Sequence, residues 1–163
     1  MDSETDYPPL EDVWMDRACI LDRIWVHLNE LTVNPDTRLY FYCALELRFC
    51  IESLFFELLA RLKDGRLTSG DLKTYRPTDF LQRLERVDPD FLSQASNKIG
   101  FTVTPEDRDR LLRLYGQVGR YLHLPKEPFI HTDQEEWKGT LEELVLDASK
   151  YLCSLTGHKW PGE

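Results

Sequence analysis

The sequence predicts an all-α fold, a helical bundle of four main helices with shorter helices between them. Three observations carry this. Apolar residues recur at helical spacing through four long segments. No segment shows the strict alternation of a half-buried strand. The breaks between segments hold the Pro, Gly, Asp, Asn and Thr residues that start and stop helices. At 163 residues, 42% hydrophobic and 12% aromatic, the chain has enough apolar material for one domain with a real core.

Residues 1–9 combine Asp2, Glu4 and Asp6 with Pro8-Pro9 and read as a flexible acidic tail, neither a signal nor a transit peptide. A first helix is expected from about Glu11 to Leu31, since Trp14, Ile20, Leu21, Ile24, Trp25, Leu28 and Leu31 share helical spacing. Asn34-Pro35-Asp36 breaks it, and Asp36 or Thr37 can cap the next helix.

The second helix, Asp36 to Asp64, has no internal Gly or Pro. Within it Arg48 and Glu52 sit one turn apart, on the side of Phe41, Phe55 and Leu59. Glu46, Glu57 and Asp64 point to the opposite side, which reads as the wet one. A charge on an apolar face is costly unless paired. Arg48 and Glu52 are therefore either a structural ion pair or the edge of a site.

Gly65 to Pro77 reads as a connector, and Pro77 suits the first turn of a short helix to about Val87. Asp88-Pro89 ends it; one or two turns come next, from Asp90 to Asn97, then a short extended Gly100–Val103. Thr104-Pro105-Glu106-Asp107 starts a helix that runs to Leu122 or His123. Leu124 to His131 is a Pro-containing loop. Thr132-Asp133-Gln134-Glu135 is a capping box for the last helix, which buries Trp137, Leu141, Leu144, Val145, Ala148, Tyr151 and Leu152. Gly157 ends it. The domain spans 10–157, and 158–163 reads as a flexible tail.

The net charge of −9 argues against broad, non-specific nucleic-acid binding but is compatible with a local basic cleft. No apolar run approaches the ~20 residues a membrane span needs, so the reading is a soluble cytoplasmic protein. Cys19, Cys43, Cys50 and Cys153 form no C-x-x-C pair and read as small apolar fillers. His27, His123, His131 and His158 are scattered, so no metal site and no cofactor is implied. Phosphate-cradling loops, nucleophile elbows and HExxH motifs do not occur.

The helix after Thr104 carries the other candidate chemistry. Leu111, Leu114, Tyr115, Val118 and Leu122 form its core stripe, and Gly116, Gly119 and His123 share an adjacent stripe with Leu112. Each glycine costs a helix about 1 kcal/mol relative to Ala, a cost usually tolerated where another backbone comes close. Arg113, Gln117 and Arg120 share the next face. The helix C-terminus favours cations, so Gly119 to His123 reads as an anion-recognising corner or, more simply, a capped helix end.

The runs Leu45-Glu46-Leu47-Arg48-Phe49-Cys50-Ile51-Glu52 and Leu114-Tyr115-Gly116-Gln117-Val118-Gly119-Arg120-Tyr121-Leu122-His123 resemble HEPN domains. The resemblance implies a small helical bundle, commonly homodimeric, of prokaryotic defence or toxin–antitoxin systems. Many such domains are metal-independent endoribonucleases, whose Arg and His have four to six residues between them near a helix end and meet across the dimer. Here His123 matches the family His by position. The usual Arg positions hold Val118, Gln117 and Gly116, and Arg120 is too close to match. If the chain is an enzyme, His123 would move the proton and Arg120 or Arg48 would stabilise the phosphorane, with Glu52 orienting the guanidinium. Arg113, Gln117 and Tyr121 would bind the RNA. The alternative is a non-catalytic bundle that dimerises or holds a cognate protein partner across the glycine stripe. The site reading requires Arg48 to reach the Arg120–His123 turn.

Overall fold

The computed structural model describes residues 17–92, 100–122, 134–161 and 163. The acidic tail, Trp14, the turns to Asn97, His123, the loop after it and the Thr132–Asp133 cap lie outside the described residues, as do the side chains of Cys19 and Trp137. The described residues form α1 (Arg17–Val33), α2 (Thr37–Leu62), α3 (Ser69–Leu72), α4 (Pro77–Val87), α5 (Pro105–Leu122) and α6 (Gln134–Thr156), with no strand among them. The fold is all-α. The count of four main helices is inexact, because α4, at 11 residues, also sends Phe80, Leu81 and Leu84 into the core. None of the described helices is long and apolar enough to cross a membrane.

α2 is the axis of the bundle, and α1, α4, α5 and α6 all pack on it. Its 26 residues form a helix because strong apolar helix formers run between two clear stops. Asp36 caps the start, accepting the Arg38 N–H, and the Arg38 guanidinium beside it lowers the Asp36 carboxyl to about 2. At the end Asp64 turns left-handed (φ 52°), the Gly65 N–H reaches the Ala60 carbonyl at 2.8 Å, and the Asp64 N–H reaches Arg61. That pair of bonds is a Schellman stop, with the glycine just beyond the left-handed residue.

The central position overturns the expected wet side of α2. Leu39, Cys43, Leu47, Cys50, Leu54 and Leu58 are buried, as are Ala44, Ile51, Phe55 and Leu59, so apolar burial extends over more than half of the helix circumference, and the exposed arc is the one that carries Arg38, Tyr42 and Leu45. Glu46 lies under α1, where Arg23 meets it with a fork of bonds at 2.8 and 2.9 Å. Glu57, with 12% of its side chain exposed, pairs with Arg61 at 3.4 Å. Only Asp64 of the three carboxylates is exposed. Charges on the covered sides of a helix need partners, and Arg23 and Arg61 supply them here.

The expected connector after α2 is organised around a buried carboxylate. Asp71, 2% exposed, takes the Lys63 ammonium, an Arg83 N–H at 3.0 Å and the Thr68 N–H at 2.8 Å. The Thr68 hydroxyl accepts the Asp71 N–H in return, closing a capping box on α3. A Cβ on Gly70 would meet the Arg83 guanidinium at 3.3 Å, so glycine leaves the space through which Arg83 reaches Asp71. Burial pushes the Asp71 carboxyl up, but Lys63 and Thr68 outweigh it and hold the group below its ordinary value. α4 begins at Pro77 and buries a stripe of Phe80, Leu81 and Leu84 on α2. There Phe56 meets Phe80 edge-on at 6.2 Å.

α5 begins as the sequence reads. Thr104 and Asp107 exchange bonds at 3.0 and 3.1 Å. The other Asp107 oxygen accepts the Tyr151 hydroxyl of α6 at 2.8 Å, and Arg110 lies 3.7 Å over that ring. Cys43, Cys50 and Cys153 are buried without disulfides, and burial pushes the Cys43 thiol up to about 12. Such a thiol is a filler rather than a nucleophile.

After α6 the described residues fold back on the bundle. Gly157 turns left-handed (φ 69°), His158 meets Asp22 of α1 at 3.1 Å, and Trp160 enters the core at 5% exposure. An indole offers more apolar area than almost any other side chain. Its return is favoured once the turn at Gly157 points it at the bundle.

Candidate functional site

Arg48 and Glu52 are paired, and a third residue completes the group. The Arg48 Nε donates to Glu52 Oε1 at 3.0 Å. The Tyr115 hydroxyl of α5 donates to the same oxygen at 2.8 Å, and the Arg48 guanidinium carbon lies 5.0 Å over the Tyr115 ring. The cluster is half-buried, with 25% and 16% of the two charged side chains exposed. Burial, then the Glu52 carboxylate, push the Tyr115 hydroxyl up to about 12, so it donates as a neutral phenol. Burial works against the Arg48 charge, but Glu52 and Tyr115 outweigh it. Chemically the cluster clasps α2 to α5: the charge is compensated, and Glu52 has one oxygen doubly occupied.

Helical spacing puts Tyr115 in a core stripe, without a link to Glu52. A signal was present. A buried tyrosine needs a partner for its hydroxyl, and a carboxylate on the facing apolar helix is the plainest one.

Arg113, Gln117 and Arg120 stand elsewhere. All three are exposed on α5, and neither arginine has an ion pair among the described residues. Tyr115 and Arg120 are five residues apart, which places them roughly 140° round the helix and ~7.5 Å along it. Arg48 contacts Tyr115, away from the stripe that carries Arg120. Gly119 and Gly116 occupy the arc between them. Tyr121, expected among the binding residues, packs half-buried against the core. His123 lies outside the described residues.

The glycines correct a second expectation. Among the described residues nothing lies within 4 Å of where a Cβ on Gly116 or Gly119 would stand, so no described backbone uses the space they leave. The stripe faces outward because the core side of α5 is taken by Leu111, Leu114 and Val118. Gly116→Ala is therefore expected to stabilise the monomer by about 0.5–1 kcal/mol through helix propensity alone, read as a higher urea midpoint at low protein concentration. Destabilisation with a fall in size-exclusion mass would instead show a second chain packed there.

Among the described residues no group of three or more His, Cys, Asp or Glu side chains could hold a metal ion. Among the described residues the α5 face offers arginine and amide donors and an open glycine shelf. That arrangement suits the binding of an anion. No family model matches the chain, and no curated protein or solved structure matches it.

Proposed function

We propose that this chain is a HEPN-like helical module of a prokaryotic defence or toxin–antitoxin type system, binding RNA through the outer face of α5. One observation carries the reading: Arg113, Gln117 and Arg120 form an exposed stripe whose arginines have no ion pair among the described residues, in a chain of net charge −9. Acidic proteins have abundant carboxylates to compensate a surface arginine. Two without an ion pair among the described residues, on one stripe, leave donors for phosphate oxygens. The open shelf at Gly116 and Gly119 lets a sugar–phosphate backbone approach the helix closely.

Binding fits better than cleavage. Arg48 is engaged by Glu52 and Tyr115, so its guanidinium is already compensated within the chain. The test is fluorescence anisotropy with a labelled single-stranded RNA. The double variant Arg113→Glu/Arg120→Glu is expected to bind at least about tenfold more weakly, with a flatter salt dependence. Equal affinity in the variant would sink the reading. Metal-free cleavage abolished by His123→Ala would turn the binder into a nuclease.

A second reading, a dimerising or partner-binding bundle, is favoured by the same open glycines, since small residues let a second helix come close. The urea midpoint and size-exclusion mass of Gly116→Ala decide it.

A further inference from the structure

The charge along the chain is uneven. Between Arg61 and Arg86 there are seven Lys and Arg residues and four Asp and Glu, a positive stretch in a chain whose total is −9. Part of that charge is used internally. Arg61 pairs with Glu57, Lys63 and Arg83 with Asp71, and Arg66 loosely with Asp64 at 4.0 Å. Lys73 and Arg76 are exposed and have no ion pair among the described residues. Both stand in the turn between α3 and α4, on either side of Tyr75, which is 53% exposed. The Arg76 guanidinium carbon lies 5.6 Å from the Tyr75 ring centre.

The turn is held in shape from both ends. Lys73 caps α3, itself fixed by Asp71, and the Thr74 hydroxyl donates to the Gly70 carbonyl at 2.9 Å. Arg76 is extended (φ −78°, ψ 130°), the conformation required before Pro77. A buried ion cluster thus presents a short surface loop whose side chains are a cation, an aromatic ring and a second cation.

We propose that the Lys73–Tyr75–Arg76 turn is a second contact surface for single-stranded RNA, with phosphates at Lys73 and Arg76 and a base stacked on Tyr75. This rests on the RNA-binding reading and extends it to a site on the α2–α4 side of the bundle. The exposed ring argues for a single strand over an acidic peptide, because an unstacked base can lie on an aromatic face beside a guanidinium. In a duplex the bases stack on one another, and only the two cations would act.

The experiment uses the full chain, a labelled oligouridylate, a duplex RNA of equal length and poly-glutamate, each titrated across a salt series. Tyr75→Ala is expected to weaken oligouridylate binding about tenfold and to leave duplex binding unchanged. Lys73→Gln/Arg76→Gln is expected to reduce the log–log salt slope for the single strand by roughly 1.4, the value for two phosphates. The proposal falls if both variants bind oligouridylate like the parent while Arg113→Glu/Arg120→Glu does not; the α5 reading then stands alone. If the parent binds neither RNA, both readings fall. If the turn variants lose only poly-glutamate, the surface is a dock for acidic protein and the proposal is overturned. All three side chains are at the surface, so unchanged circular dichroism separates lost contacts from lost folding.

Discussion

Trp160→Ala is expected to lower the stability of the bundle by about 3–4 kcal/mol. The indole is 5% exposed, so truncation removes a large buried apolar surface and leaves a cavity that the helices close only in part. At the usual scaling for a chain of this size, the thermal midpoint falls by about 10 °C. Urea unfolding gives the free energy directly. A loss below about 1 kcal/mol would mean that the segment after Gly157 does not dock in solution.

The second large effect is expected at Asp71. Asp71→Asn leaves the Lys63 ammonium and the Arg83 guanidinium facing a neutral amide in a site where the carboxylate was 2% exposed. Breaking a buried ion cluster from one side costs about 3–5 kcal/mol. Lys63 and Arg83 keep 20% and 35% of their side chains exposed, so water recovers part of their solvation. The expectation is accordingly about 3 kcal/mol, the lower end of that range.

The pH dependence separates this from simple misfit. The Asp71 carboxyl is held below its ordinary 3.8 because Lys63 and Thr68 outweigh burial. Its contribution is therefore complete above about pH 4 and is lost as acid protonates the folded protein below 3.8. Stability curves of parent and variant should run apart at neutral pH and converge in acid. A gap that stays constant into acid would mean the charge is not what holds the node.

The helices were legible because their signals are local. Asp36 before α2, Thr104-Pro105 before α5 and Gly157 after α6 each act on a backbone bond within a few residues. The apolar stripe of α4 needs no knowledge of its neighbours beyond the existence of a core. Arg48 and Glu52 were legible as a pair for the same reason, since a spacing of four on a helix places them side by side.

Other features depended on packing. Glu46 and Glu57 read as solvated because their side of α2 has the charges; with α1 laid on it, Glu46 meets Arg23, and Glu57 pairs along the helix with Arg61. The glycine stripe looked like a packing groove because a glycine usually marks close approach, yet Gly116 is exposed. Asp71 lies in the stretch that reads as a connector. Nothing near it in sequence indicates that Arg83, 12 residues on, folds back to meet it.

By itself the sequence determined the all-α class, the course of the helices, their caps and the candidate cations on α5. Those arise from forces acting within one or two helical turns. The tertiary structure decided what each charge faces. It joined Tyr115 to the Arg48–Glu52 pair, placed Asp71 between two cations, brought Trp160 into the core and left Arg113 and Arg120 open to solvent. Burial and charge pairing are relations between distant segments, and a change of a few ångströms in how helices pack alters them without disturbing any local signal.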